Sequence, residues 1–522
     1  MKQYIFPIAA IFFSLVNAYA QSPANRAVIK HTQVMYEFNA VPSAMQYRIR
    51  VFKMPAQKKV LEEIVSHPVH LAKNLLEFGG KYEWEVVGLT QSGEAVGKAQ
   101  KYSFSIQNVP EASPNKFEAI VQVNQEDKFV DGLIIPDNGY IVNRKGGVVY
   151  YIDSTITYPR ATQLTPQSTL IYLDSVVVVE RSLQGKILWK SPNINNDSLK
   201  IIFYHHDAVK TLKGTYLCIA KVQYKHINQQ VSYSSLFEFD RNNNIVWYWS
   251  ERYFYPNDSN RFKASHLNSM FYDEKEEKIY LSNRDLHSLT KIDKLTGEIE
   301  YSYGYNVNDE VIYFINPIFK MQHRIRKLQN GNFLVFNNDS GESADFAHTK
   351  VLEITDPEIG GGESEVVWEY PFQFENQIEN FVPRMGGAFE MPNNNVLVAG
   401  GVFDKVFEVN RDGEMVWLAR FVRYAPDGHQ TAPACYRASY ASSLFPYHFI
   451  LYQSGEDAFG PILVNSGSEK DIFIVSTQSG EVLTEIALEP SGFISLSEYT
   501  QQSGSSINVQ SQQSGVIKVI KL

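Results

Sequence analysis

One unit recurs through the middle of this chain, and no other sequence feature narrows the fold as much. Half of the unit is an apolar strand, a polar turn and a second strand carrying an aromatic residue. VVERSLQGKILWK contains Trp189, FEFDRNNNIVWYW contains Trp247, KIDKLTGEIEYSY contains Tyr301, LEITDPEIGGGESEVVWEY contains Trp368 and FEVNRDGEMVWLA contains Trp417. Apolar runs separated by Gly, Asn and Asp read as β-hairpins, because those residues supply the turn conformations that reverse a strand. The other half begins at His205 (HHDAVKTLKGTYLCIA), His266 (HLNSMFYDEKEEKIYLSNR), Gln322 (QHRIRKLQNGNFLVFNN) and Met385 (MGGAFEMPNNNVLVAGG). A weaker copy precedes these at Asp131 and another follows at Tyr436.

Six copies, each about the size of a four-stranded sheet, predict an all-β chain built on a six-bladed β-propeller over residues 116–455. Radial repetition leaves few open strand edges and packs aromatic residues between sheets. The 31 Tyr and 32 Phe of the sequence suit that arrangement.

At 522 residues the chain exceeds one hydrophobic core. Residues 21–110 hold YEFNAV, QYRIRVF, KYEWEVVGL and KYSFSI, whose alternation predicts a small fibronectin-type β-sandwich. Residues 456–522 hold DIFIVST, TEIAL and GVIKVIKL, a further small β-domain with some similarity to sorting domains of exported bacterial proteins. Residues 1–20 combine Lys2, an apolar run from Tyr4 to Val16 and Ala18-Tyr19-Ala20, the pattern of a cleaved signal peptide. The expectation is an exported protein, located in the periplasm, at the cell surface or in the medium. No later run approaches the ~20 apolar residues that span a bilayer. A net charge of -9 offers no general attraction to nucleic acid or anionic membrane. Two cysteines, Cys218 and Cys435, exclude a disulfide-stapled scaffold and a multi-thiolate zinc site, and both are expected as buried free thiols.

The register of the repeats brings histidines together. The innermost strands of a propeller line its axis, so equivalent residues form a ring. His206 and His323 each lie eight residues before a glycine, Gly214 and Gly331, and His266 opens its own repeat. His205 is the alternative axial member of its pair. The equivalent positions of the last two copies are Met385-Gly386 and Tyr436-Arg437. His226, His287, His429 and His448 fall outside the register. Converging imidazoles suit a nucleophile or general base with neighbouring donors that bind an oxyanion. No carboxylate or thiolate recurs in register to complete a metal site, and no phosphate-binding Gly-x-x-x-x-Gly-Lys loop occurs.

HHDAV at 205, HLNSMFYDEKEEKIYLSNRDLHSLTKIDKLTGEIEY at 266, QHRIRKLQNGNFLVFNN at 322, VVWEY at 366 and YRASYASSLFP at 436 resemble the bacterial arylsulfate sulfotransferases. The resemblance implies a six-bladed propeller, an N-terminal sandwich that supports a homodimer, no cofactor, and ping-pong transfer through a sulfated histidine. The donor would be a phenolic sulfate and the acceptor a phenol. By motif, His266 and His323 match two active-site histidines, while Asn268, Arg284 and His206 lie in matching segments. Where that family supplies an arginine for the sulfate, FNNDSGESADFAHTKV offers only His348 and Lys350, so these and Arg437 are the expected sulfate-binding groups. Two other classes compete: a non-catalytic propeller that binds a glycan, peptide or surface partner, and a quinone-dependent dehydrogenase, which six rather than eight repeats disfavour.

Overall fold

The computed structural model describes residues 21–109, 116–152, 159–224, 232–254, 265–304, 313–314, 318–338, 348–424, 429–453, 460–503 and 506–521. The expected signal peptide lies outside them. The described elements are almost all strands; the helices are the short Glu251–Phe254 and Ser497–Ser503 and a single 3-10 turn, Gln377–Asn380. Among the described residues no helix is long and apolar enough to cross a membrane. The chain forms two compact units, one of residues 1–109, 165–169 and 442–522, the other of residues 110–164 and 170–441.

Among the described residues the second unit holds six sheets, antiparallel except where Ile299–Tyr303 pairs in parallel with Tyr313–Phe314. The second sheet runs Pro159–Leu164, Thr169–Asp174, Val177–Ser182, Ile187–Lys190. The third runs Leu199–Lys210, Tyr216–Tyr224, Ser232–Phe239, Ile245–Ser250. The fourth starts Leu267–Asp273, Lys278–Asn283, Ser288–Asp293, Ile299–Tyr303, and the fifth runs His323–Lys327, Phe333–Asn337, Lys350–Ile354, Val366–Pro371. The sixth begins Gly387–Glu390, Val396–Ala399, Lys405–Val409, Met415–Tyr424. The first sheet is shared between the two ends of the unit: Ala438–Ala441 pairs with Leu133–Pro136, followed by Tyr140–Asn143 and Val148–Tyr151. Lys116–Asn124 pairs in turn with Met415–Tyr424 of the sixth sheet. Both ends of the unit are therefore hydrogen-bonded into sheets formed by the opposite end.

A recurring side-chain contact joins each sheet to the next. On the third strand a glutamate faces a tryptophan of the fourth: Glu180 and Trp189, Glu238 and Trp247, Glu353 and Trp368, Glu408 and Trp417. That glutamate takes a basic residue of the following sheet: Lys210 at 2.6 Å, Lys294 at 2.8 Å, Arg411 at 2.6 Å and Arg144 at 2.5 Å, respectively. In three of these contacts the indole Nε1–H also donates to the backbone carbonyl of the same basic residue: Trp247 to Lys294, Trp368 to Arg411 and Trp417 to Arg144. Trp189 instead stacks on Tyr216 of the third sheet at 3.8 Å. The fourth sheet reverses the polarity. There Lys291 faces Tyr301, Lys291 binds Glu358 of the next sheet at 2.6 Å, and the Tyr301 hydroxyl donates to Asp356. Since Arg144 belongs to the first sheet, and Asp137 of that sheet accepts the Thr162 N–H of the second, the contacts run in a closed circuit.

The repeat count of the sequence differs in phase from the sheets. The copy at Tyr436 is not a full unit but supplies one strand of the first sheet, whereas the second sheet has its own first strand, Pro159–Leu164. That strand is hard to read because Ser168, at φ 60°, takes the turn position that Gly214 and Gly331 take elsewhere. The repeat region was expected to reach residue 455, but the second unit ends at Ala441. Phe449–Gln453 pairs with Pro461–Asn465, in a sheet of the other unit.

In the first unit, a five-stranded sheet (Ala27–Ile29, Ala95–Ile106, Lys81–Leu89, Gln46–Met54, Lys58–Val65) shares a core with the pair Val34–Glu37 and Val69–Ala72. Tyr36, Ile49, Trp84 and Phe104 fill that core. Met35 and Val69 pack on Ile450, Tyr452 and Val464, so the two flanking regions expected as separate domains fold together. Cys218 and Cys435 are free and buried.

Removing one partner of a buried ion pair strands the other charge, which costs about 3–5 kcal/mol. Arg144 and Glu408 are both buried. Arg144→Ala is expected to lower unfolding stability by about that amount in urea denaturation, and Arg144→Met with Glu408→Leu to recover most of it.

Candidate active site

The first strands of successive sheets adjoin one another and share a distortion. Their register with the second strand slips between Arg160 and Gln163, Tyr204 and Ala208, Leu267 and Ser269, and His323 and Ile325. At or beside these bulges the backbone takes positive φ: 52° at Ala161, 57° at His206, 44° at His266 and 44° at Arg324. A bulge re-aims a side chain, and positive φ outside glycine stores strain that recurs at functional sites.

The re-aimed side chains meet. The His206 ring lies 5.5 Å from that of His266, 4.9 Å from that of His205 and 6.2 Å from the Tyr436 ring, and Tyr436 lies 6.4 Å from His323. The Nδ1 atoms of His205 and His206 are 2.6 Å apart, so one donates to the other and the two share one proton. Burial pushes His205 down to about 3 and His206 well below its usual value, so both are neutral at neutral pH. Burial likewise lowers His323 to about 3.

Each imidazole has distinct supports. Asn338 donates through Nδ2 to the carbonyls of Val382 and Met385, which turns its Oδ1 toward His323 Nδ1 at 2.7 Å. His323 therefore carries its proton on Nδ1, and its Nε2 accepts the Met385 N–H at 3.1 Å. His266 is half-exposed, with Nδ1 3.4 Å from Asp285 Oδ2. Arg284 grips the other oxygen of Asp285 and donates to Pro383 O. Burial alone would raise the Asp285 carboxyl, but His266 and Arg284 hold it below the usual carboxylate value.

Arg437 and Asp207 join the site from opposite sides. Asp207 accepts the Met270 N–H and receives Arg437 Nη1 at 2.7 Å. Arg437 Nη2 donates to Asn268 O at 2.8 Å, and its guanidinium lies 4.9 Å over the Tyr436 ring. Burial works against that guanidinium's charge, but Asp207, Tyr436 and Asp137 together outweigh it and its pKa is raised. Asn268 spends its own Nδ2 on Gln322 O, tethering the fourth sheet to the fifth.

Of the residues singled out by sequence, His206, His266, His323, Asn268, Arg284 and Arg437 lie together. Lys350 and His348 are not joined to them by any described contact: the Lys350 ammonium rests on Glu369 at 3.1 Å, and His348 is exposed. Residues 339–347, where the resemblance would place an arginine, lie outside the described residues. Sequence reading missed Asp207, Asp285, Asn338 and Gln322. Each lies in or beside a quoted motif, but its contacts are not fixed by repeat spacing: Asp207 reaches Met270 and Arg437, Gln322 reaches Ser282 and Asn283, Asn338 ties His323 to Val382 and Met385, and Asp285 turns back to His266 within its own sheet.

The arylsulfotransferase (ASST) family model matches residues 120–356. That segment is similar to the arylsulfotransferase family. It contains every one of these histidines, together with Asn268, Arg284 and Asp285, while Tyr436 and Arg437 come from beyond it. No curated protein matches the chain. Among solved structures, a Bacteroides caccae protein of unknown function is 13% identical over 55% of this chain and 93% of its own, with a TM-score of 0.36. The periplasmic gluconolactonase PpgL of Pseudomonas aeruginosa is 11% identical over 76% of this chain and 99% of its own, with a TM-score of 0.31. The Cps50 (Swd1) β-propeller domain of Myceliophteria thermophila is 10% identical over 62% and 96%, with a TM-score of 0.31.

The buried neutral histidines of the site make the fold acid-sensitive. His323 titrates at about 3 when folded and near its ordinary value when unfolded. The unfolded chain thus takes up the proton first as pH falls, and stability is lost from about pH 6.5 downward. His323→Gln is expected to flatten the decline between about pH 6 and pH 4 by roughly 1.4 kcal/mol per pH unit, read from urea denaturation at each pH.

Proposed function

We propose that this chain is an exported arylsulfate sulfotransferase, which moves a sulfuryl group from a phenolic sulfate ester to a phenolic acceptor through a sulfohistidine. The reading is carried by the convergence of His206, His266 and His323, from three successive sheets, inside the segment that matches the arylsulfotransferase family. A neutral imidazole is a nucleophile and a base; an imidazolium is neither. Burial that keeps His206 and His323 neutral supports such chemistry. The sulfate monoester is an anion, and Arg284 and Arg437 give the site the positive field to hold its nonbridging oxygens. The Tyr436 ring, between His206 and His323, offers an aromatic wall on which an aryl group can stack.

In the same reading the six sheets are the blades of one six-bladed propeller, and the histidines line its axis. The closed circuit of contacts between sheets supports this. The N-terminal sheets at 21–110 form a fibronectin-type sandwich that pairs two copies, residues 1–20 direct export, and the C-terminal β-region serves sorting.

Purified protein is expected to release 4-nitrophenol from 4-nitrophenyl sulfate, faster when phenol is added. His206→Ala and His266→Ala are each expected to lower the acceptor-stimulated rate on the order of 100-fold or more. No release from a panel of aryl sulfates and acceptors would contradict the reading and leave a propeller that binds a glycan or surface partner.

A further inference from the structure

The first unit holds a cavity of its own, of about 520 Å3, walled by residues 65–73 on one side and by residues 464–468 and 490–493 on the other. That volume falls within the range of about 300–1,000 Å3 that small-molecule sites occupy. Phe493 stands at its wall with 58% of its surface exposed, and its ring packs against that of His67 at 4.4 Å. A large aromatic side chain left this open beside a cavity offers a face for stacking.

The polar groups around that face are held in place from behind. His67 Nδ1 meets the Tyr452 hydroxyl at 2.9 Å, which leaves Nε2 with no described partner. A phenol donates or accepts, so His67 Nε2 presents either an N–H or a lone pair. Ser466 Oγ lies 2.7 Å from His448 Nδ1, and His448 Nε2 lies 3.6 Å from Glu37 Oε2. The carboxylate favours the His448 proton on Nε2, so Nδ1 takes the Ser466 hydroxyl proton and the Ser466 oxygen keeps acceptor capacity for a ligand. Ser491 stands at φ 66°, a conformation that glycine adopts without strain. A serine there brings a hydroxyl to the cavity at the expense of backbone strain, a pattern that recurs at functional positions.

Charge narrows the ligand. No carboxylate and no arginine lines the cavity, and its ammonium, that of Lys73, donates to Ser442 O at 3.2 Å. Burial lowers His67 and His70, so both are neutral at neutral pH. A polyanion would lack the arginine forks that bind it, and a lipid chain would leave the hydroxyls and imidazoles unpaired. A sugar ring matches both kinds of surface, because its C–H face packs on an aromatic ring and each of its hydroxyls both donates and accepts. We propose that the cavity binds a neutral saccharide, with one ring stacked on Phe493 and its hydroxyls bonded to His67 Nε2, Ser466 and Ser491. The first unit is then a carbohydrate-binding module. The site lies outside residues 120–356 and does not depend on the sulfuryl-transfer reading.

The test is saturation-transfer NMR of the full chain with lactose, cellobiose, maltose and mannobiose, and with digalacturonic acid as the charged comparison. At least one neutral disaccharide is expected to bind with a Kd on the order of 1 mM, and digalacturonic acid more weakly. Phe493→Ala is expected to weaken that binding about 10-fold and Ser466→Ala about fivefold. Because Phe493 is exposed, its variant should keep the wild-type urea midpoint, and His206→Ala should bind the sugar as the wild type does. Retardation of the chain in a native gel containing the corresponding polysaccharide would make the ligand a stretch of glycan, and binding of the disaccharide alone a free sugar or chain end; both support the site. No binding of any neutral member up to about 10 mM, tighter binding of digalacturonic acid, or binding that survives both Phe493→Ala and Ser466→Ala would overturn the proposal. Loss of binding in His206→Ala would overturn it too, by placing the sugar in the second unit.

Discussion

The second unit depends on one repeated contact, in which a glutamate and the tryptophan opposite it seize a basic side chain of the next sheet. Three copies use this form, a fourth keeps the Glu180–Lys210 pair but stacks Trp189 on Tyr216, and a fifth, at Lys291 and Tyr301, uses its charge-reversed counterpart. A buried ion pair adds little net stability over a well-packed apolar pair, since desolvation offsets most of the attraction. Its contribution is geometric. A short charged contact beside an indole that also donates to the partner's backbone fixes how far each sheet turns relative to the last. Burial of aromatic and aliphatic side chains between sheets, such as Phe237, Phe333 and Phe407, supplies the driving force.

The site is a product of that geometry. Bulged first strands carry His206, His266 and His323, but only the fixed rotation between sheets makes them meet. Tyr436 and Arg437 come from the far end of the unit and enter only when Ala438–Ala441 pairs with Leu133–Pro136. Arg437 then bridges Asp207 of the third sheet and Asn268 of the fourth. Closing the circuit and completing the site are therefore a single event, and the buried, uncharged state of His206 and His323 is one of its consequences.

Much of this was legible in the sequence because the contact that sets the geometry is itself periodic. The hairpin ending in Trp189, Trp247, Trp368 or Trp417 is a strand pair and half of a junction at once, so reading one reveals the other. Phase was harder. Ser168, Glu277 and Asn394 adopt the left-handed turn conformation that glycine advertises at 214 and 331, which hid one first strand, while the strand shared between the two ends mimicked a further repeat. The histidines stood out because they share a register. Asp285 and Asn338 did not, because neither recurs from unit to unit and each meets its histidine, His266 or His323, only once its sheet has folded. Lys350 stands in the segment where the resemblance calls for a sulfate-binding cation, but its strand position sets it against Glu369 instead.

The central claim is that these histidines carry a sulfuryl group between two phenols in separate steps. The most direct measurement is initial-rate kinetics in which the aryl sulfate and the phenol are varied against each other. A covalent sulfohistidine requires the first product to leave before the acceptor reacts, so double-reciprocal plots should be parallel lines. Intersecting lines would mean that donor and acceptor react together on the protein, and the account of a histidine carrier would be wrong.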